Sequence, residues 1–318
     1  MTSYIIRRIV QLVVVVFIVS VLVFGIMRAL PGDPILLLIS GQERTADTPA
    51  VIAQLRHDNG LDRSYVVQYV SWIGGALKGN LGKSIDTGNS VSSDILTHLP
   101  VTLNIGLLGW IIGTFLGVGA GVLCAVKRGT WIDSTVTALA NAGTTVPVFW
   151  LALMLILVFG VWLGWLPTFG YTSPFVDFGQ NLRGIILPVM CLALFPMASV
   201  CRQTRSAMLG VLHQDYIRTA WSKGLKQRAV IVKHALKNTL IPIVTLSGMT
   251  LGAVVGGAVF EETVFVIPGM GNLAVNAVNN QDYPVIQGIT LFVAFVVLVV
   301  NLLVDISYGW LDPRIRYS

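Results

Sequence analysis

An all-α protein that crosses a membrane six times is the fold class this sequence predicts. Three observations carry the prediction. The 318 residues are 54% hydrophobic and only 11% charged, against about 25% charged residues in an average soluble domain. The apolar residues gather into runs long enough to cross a bilayer, about 20 residues each. The charges are left in the connections between those runs, and they are sided. A polytopic bundle satisfies its backbone within each helix, as lipid requires, so one helical membrane domain is expected and not a pair of soluble ones.

Six segments meet the length requirement or come near it, at roughly 9–30, 99–126, 135–166, 185–201, 239–260 and 284–305. The first follows Arg7-Arg8. Its apolar run exceeds the about 7–15 residues of a signal peptide, and no small-x-small cleavage site precedes Pro31. It is therefore expected to stay as a first helix, with Arg7 and Arg8 as orientation charges. The second span carries Gly113, Gly117 and Gly121, four residues apart. The third is long, and Pro147 is expected to kink or break it. The fourth is the shortest and contains Pro188 and Pro196. The fifth repeats the glycine ladder at Gly248, Gly252 and Gly256. Each ladder lines one helix face and permits close backbone approach. That face can serve packing within the chain or a moving interface between subunits.

Lys and Arg set the orientation. With the N-terminus inside, the cytoplasmic side holds 14 of the 21 basic residues and four of the 15 acidic ones, Asp133, Asp215, Asp305 and Asp312. Both termini are then cytoplasmic. Asp305 can cap the last span or pair with Arg314 or Arg316, a structural role. Away from the ends of the spans there is no Asp, Glu, Lys, Arg or His. Proton- and ion-coupled pumps place such groups inside their bundles, so the uncharged interior counts against a secondary transporter. Energy must come from outside the bilayer, or the chain is a passive pore or scaffold.

The chain divides into a tail and first helix (1–30), an extracytoplasmic helical segment (31–97) and a core of five spans (98–318) with a basic cytoplasmic loop at 202–238. In the outer segment Pro49 opens a short helix capped by Thr48 and ending before Gly60. A second helix spans Ser64 to Leu77 with Tyr65, Tyr69 and Trp72 on one face. The string GNLGKS at 79–84 is not a nucleotide-binding loop, because Leu77 stands where the first glycine is required. Cys124, Cys191 and Cys201 fall in or at the end of apolar runs and suit packing better than disulfides or a metal. His57, His98, His213 and His234 are scattered, and no ligand cluster or nucleophile–base pair marks an enzyme.

The basic loop holds the most specific signal, DYIRTAWSKG at 215–224. Tyr216, Ala220 and Gly224 recur at i, i+4 and i+8, one helix face. Ala220 and Gly224 leave a notch there, ringed by Arg218, Lys223, Lys226 and Arg228. Such a helix can seat in another protein's groove, or the loop can simply orient the chain against lipid head groups. The loop at 261–284 is apolar apart from Glu261, Glu262 and Asp282. Its Pro268-Gly269 and Gly271 suggest a tight re-entrant turn, readable as a gate or as a packed plug.

DYIRTAWSKG, followed by KHALKNTLIP at 233–242, resembles the ATPase-docking loop of ABC-importer permeases. PGDP at 31–34, GLDRSYVVQYVSWIGGALKGNLGKS at 60–84, FEETVFVIPGMGNLAVNAVNNQDYP at 260–284 and NLLVDISYGWLDPRIRY at 301–317 are similar to the dipeptide/oligopeptide/nickel branch over nearly the whole chain. The N-terminus with PGDP resembles the first of that branch's two permease subunits. Gln281 departs from the basic residue more common in the family before Asp-Tyr-Pro.

The resemblance implies a type I importer permease fold in a bacterial cytoplasmic membrane. It implies a second, related permease, two ATPases that use ATP and Mg, and an extracytoplasmic binding protein that delivers the cargo. This chain would bind no cofactor and hydrolyse no ATP. Thr219, Ala220 and Gly224 would sit in the ATPase groove, with Asp215, Arg218 and Lys223 at its polar edge. Read as a gate and not as a plug, the loop at 261–284 would bring Glu261, Glu262 and Asp282 to substrate or the binding protein. The lack of a His, Cys or Met cluster favours peptides over nickel as the cargo.

Overall fold

A computed structural model describes residues 2–29 and 62–311, with a few residues between them at 50, 53–54, 56–57 and 60. The PGDP string, Thr48 and Pro49, and Arg314 and Arg316 lie outside the described residues; of the short helix expected after Pro49, the described residues at 50, 53–54 and 56–57 are helical. The described chain is helical. Its elements are α1 (Thr2–Ala29), α2 (Tyr65–Ala76), α3 (Val91–Val126), α4 (Trp131–Thr145), α5 (Val148–Leu155), α6 (Phe178–Leu212), α7 (Asp215–Ser222), α8 (Gln227–Ala229), α9 (Lys237–Gly257), α10 (Val259–Val264), α11 (Met270–Asn279) and α12 (Tyr283–Leu311). Wider π-helical turns continue α5 over Ile156–Trp162 and join α8 to α9 over Val230–Leu236.

Four helices are individually long and apolar enough to cross a membrane: α1, α3, α6 and α12. Two bent pairs supply the remaining two spans. The third expected span breaks at Pro147 by 107° between α4 and α5. Proline removes a backbone donor and disfavours helical geometry at the preceding residue, and here Val146 is extended while Pro147 opens α5. The fifth span bends by 54° at Pro242. Pro188 and Pro196 instead stay inside the continuous α6. That helix runs well past the expected 185–201 at both ends, because its termini are polar and leave the apolar stretch.

The bundle is organised on the contact of α3 with α6. The two run parallel, since contacts advance together along both chains. A β-carbon at Gly113 would strike the Ala193 carbonyl, one at Gly117 would lie 2.6 Å from the Met197 oxygen, and one at Gly121 would lie 2.5 Å from the Cys201 oxygen. Gly109 meets Leu192 in the same way. The second ladder packs α9 on α12: Gly248 faces Val304, Gly252 faces Val297, and Gly256 faces Val293. Both ladders therefore serve packing within the chain. Lipid gives apolar helices no hydrophobic reason to associate, so close van der Waals approach over small residues does the holding. The cysteines are free and buried at these contacts.

Arg8 pairs with Asp305 at 3.1 Å, which sets the start of α1 and the last turns of α12 at the same end of the bundle. Arg8 is thus the partner that the described residues give Asp305, and the expected Arg314 and Arg316 lie outside them. Asp133 and Arg205 form a two-pronged pair, 2.7 and 2.8 Å, that fixes α4 to the end of α6. In the outer segment α2 begins after Ser64, as expected. Tyr69 and Trp72 pack on Phe24 of α1, and the Tyr69 hydroxyl meets Ser20 at 2.8 Å. Tyr65 does not join them and stays 67% exposed.

The seam yields a prediction with an internal control. Gly117→Val places branched carbons against the Met197 carbonyl and Val200, and overpacking of this kind costs about 1–3 kcal/mol. Gly119→Val, two residues away with nothing within 4 Å, should be close to neutral. Thermal melting of the two purified variants in detergent is expected to separate them, and equal midpoints would refute the packing role.

Candidate functional site

At the basic end α6 runs out of the apolar stretch, and the chain turns at His213-Gln214 into α7. One stripe of this eight-residue helix is apolar. Ile217 and Ala220 are buried, and they join Ala125 of α3, Met208 of α6, Val230 and Ala235 in one cluster. The opposite stripe is free. The side chains of Asp215 and Arg218 are 97% and 74% exposed, and Thr219, Trp221 and Lys223 are exposed beside them. The helix is held further by Asn238, which donates to the Tyr216 hydroxyl at 2.7 Å.

The helix stops where a backbone rule requires it to. Lys223 N–H donates to Thr219 O and Gly224 N–H to Trp221 O, and Gly224 takes φ +72°. This is a glycine C-terminal cap in the left-handed region. Two details of the sequence expectation change here. Ala220 faces inward, against α3 and α6, so it forms no outward notch. Gly224 lies beyond the helix and turns the chain, so it does not extend the Tyr216 face. Ile217 went unnoticed in the sequence, although its three-residue spacing to Ala220 marks the buried stripe.

At the opposite end the loop at 261–284 folds into α10, a turn through Val266 (φ +52°), and α11. It is packed, with Phe265, Ile267 and Met270 among the most buried side chains. Glu262 is fully buried. Its carboxylate accepts from the Thr102 hydroxyl at 2.5 Å, from Gly271 N–H at 2.6 Å and from Asn272 N–H at 3.1 Å. Thr102 in turn accepts from Met270 N–H at 2.8 Å. The carboxylate thus covers the unpaired N–H groups at the start of α11. Gly269 and Gly271 are required there, because a β-carbon at Gly269 would run into Glu262 and one at Gly271 into the Val259 backbone.

Asp282 is buried too and closes the outer segment onto α12. It accepts from the Ser84 hydroxyl at 2.5 Å and from the N–H groups of Ile85, Asp86 and Val285. The GNLGKS string is therefore a turn that delivers Ser84 to Asp282. Glu262 and Asp282, 0% and 4% exposed, fasten the fold with these bonds, and Asp282 also borders a pocket with Asp86, Asp94 and Asn280. Glu261 differs. It is 3% exposed, yet its Oε2 has no hydrogen-bond partner. It borders a cavity of about 230 Å3 with Trp110, Cys191, Phe195 and Thr250.

Glu262→Ala removes the acceptor of three donors at once. Each buried donor left unpaired costs about 1–3 kcal/mol, so this variant should lose most of its thermal stability, and Glu262→Gln, which keeps an acceptor, distinctly less. Equal melting of wild type and Glu262→Ala would show that the carboxylate is not the fastening.

The chain resembles known proteins along its whole length. Residues 117–317 match the family described as binding-protein-dependent transport system inner membrane component, and residues 1–106 match the N-terminal membrane component of the same systems. A putative peptide transport system permease protein of Brucella abortus is 42% identical over 319 residues, covering 100% of both chains. The di/tripeptide transport system permease protein DppB of Pseudomonas aeruginosa is 39% identical, again over 100% of both. In fold, the inward-facing methionine ABC transporter MetNI superposes with a TM-score of 0.57 at 18% identity, over 69% of this chain and 96% of that one. The chain belongs to the binding-protein-dependent, ABC-type importer permeases, as a multi-pass inner-membrane component of the dipeptide and oligopeptide branch.

Proposed function

We propose that this chain is one half of the pore of an ATP-driven importer of di- or oligopeptides. The observation that carries the reading is full-length similarity, 42% and 39% identical, to permeases named for peptide and di/tripeptide transport. Nickel or another small solute is the alternative cargo within the family.

In this reading the end bearing α7 faces the cytoplasm, with both chain termini, and residues 31–97 face outward toward a binding protein. The other half of the pore is a second, related permease. Two ATPases, which use ATP and Mg, sit below. The docking surface is the free stripe of α7, formed by Asp215, Arg218, Thr219 and Trp221 and ending at Lys223 and Gly224. Ala220 and Ile217 support this stripe from behind, and Tyr216 is tied to Asn238 at its edge. The ATPases close on ATP, α7 is drawn with them, and α3 and α6 move as one unit because α7 rests on both. The cavity then alternates between the two faces of the membrane, and cargo released by the binding protein passes inward.

Deletion and restoration of the chain in cells, with uptake of labelled dipeptides, oligopeptides and nickel measured separately, tests the reading. Loss and rescue of peptide uptake alone is expected. Loss of nickel uptake alone would transfer the chain to the metal branch. For the docking stripe, Gly224→Val strains a residue held at φ +72°. An L side chain in this region costs about 1–2 kcal/mol, without meeting any atom within 4 Å. The bundle should survive, uptake should fall at least about tenfold, and ATP hydrolysis should continue uncoupled. Full uptake at normal membrane levels would reject the docking assignment.

A further inference from the structure

Three carboxylates lie buried at the end opposite α7, and two of them have their partners. Glu262 is surrounded by the Thr102 hydroxyl and two backbone N–H groups, and Asp282 by Ser84 and three. Glu261 has a buried oxygen with nothing to bind it. A buried carboxylate with an unpartnered oxygen costs several kcal/mol, roughly, unless something pairs with it or neutralises it. Buried groups that lack partners are few, and each calls for a physical reason.

The surroundings give that reason a shape. Glu261 borders a cavity of about 230 Å3 where α3, α5, α6, α9 and α10 converge. The other polar side chains of its wall are already occupied or neutral. Trp110 donates its N–H to the Ser247 carbonyl at 2.9 Å and to Thr250 at 3.2 Å. The Thr250 hydroxyl donates to the same carbonyl at 2.9 Å, and the Cys191 thiol is free and buried. Phe195 and Val254 complete an apolar wall. No Lys, Arg or His of the described residues lines the cavity. Burial, with the neighbouring Glu262 charge as a lesser cause, pushes the Glu261 carboxyl up to about 7. An empty site can therefore hold a proton at little cost, and an arriving cation draws the group to its charged form.

We propose that Glu261 receives the primary ammonium group of a peptide in transit through this cavity. The inference rests on the peptide-import reading above. A single carboxylate in an otherwise apolar pocket recognises a compact cation and leaves the rest of the cargo unread, which suits a pore that must pass many side chains. A charge-assisted hydrogen bond to one ammonium is strong enough to orient the leading end of the peptide, and too few contacts surround it to trap it.

The test uses the whole importer in proteoliposomes, supplied with its binding protein, and a labelled dipeptide with a free amino end. Glu261→Gln is expected to lower the maximal uptake rate at least about tenfold. Basal ATP hydrolysis and the binding protein's own affinity should stay unchanged, and Glu261→Asp should restore part of the rate. Val254→Phe fills the cavity and leaves the carboxylate alone, and should lower uptake as well; it decides the matter should Glu261→Gln fail to fold. Uptake at the wild-type rate in Glu261→Gln, or in Val254→Phe, overturns the site. So does loss of the second permease from purified Glu261→Gln, which would make the carboxylate a subunit contact. A wild-type importer that moves no peptide overturns the import reading first and this site with it.

Discussion

The close contact of α3 with α6 is the constraint on which the rest depends. Four glycines of α3 let its backbone lie directly on that of α6, with side-chain volume removed from one partner only. In lipid this is where cohesion can be found, because burying one apolar helix against another gains little over burying it against acyl chains. The two helices are parallel and both overrun the apolar zone. At one end they offer Ala125 and Met208 as the seat of α7. At the other they bring Gly106 and Cys191 to the wall of the cavity that Glu261 borders. One seam thus connects a surface suited to docking with a cavity suited to cargo.

The end opposite α7 is held by a different kind of force. Two irregular connections meet there, the loop after α2 and the turn between α10 and α11, and irregular backbone must find partners where water is scarce. Glu262 and Asp282 supply them. Each concentrates several acceptor positions in one side chain and reaches across long stretches of sequence, from 262 to 102 and from 282 to 84. The penalty of burying a carboxylate is offset where three or four donors converge on it. Glu261 sits one residue from Glu262 without such a cradle, and the contrast between neighbours makes it worth asking what else approaches it.

Much of this was legible in the sequence for stated reasons. Length and hydropathy gave the spans, Pro147 the break, Ser64 the start of α2, and the i, i+4 glycines a close helix contact. What periodicity cannot tell is what lies opposite. The ladders did not reveal whether they face this chain or another, and the packed partners are α6 and α12. Ala220 looked like a notch because a small residue reads the same on either side of a helix. Only Met208 and Ala125 behind it decide that it points inward. Tyr65 shares helical spacing with Tyr69 and Trp72, but Phe24 covers only the latter two. For Glu262 no local signal existed, since its partner Thr102 lies 160 residues away.

These placements bear on how force could travel, if α7 is the coupling element proposed for it. A helix of eight residues has little stability alone. Its rigidity is borrowed from the cluster beneath, where Ile217 and Ala220 touch residues of α3, α6 and the π-helical turn before α9. A pull on the exposed stripe therefore reaches three elements at once and does not merely bend a loop. The Asp133–Arg205 pair adds α4 to the same body. Compliance is left to the places where helical hydrogen bonding is interrupted: the 107° break at Pro147 and the 54° bend at Pro242. Both adjoin elements that wall the Glu261 cavity, α5 through Val148 and α9 through Thr250 and Val254. Movement of the rigid α3–α6 body against these two bent spans would alter the cavity while leaving the seam intact.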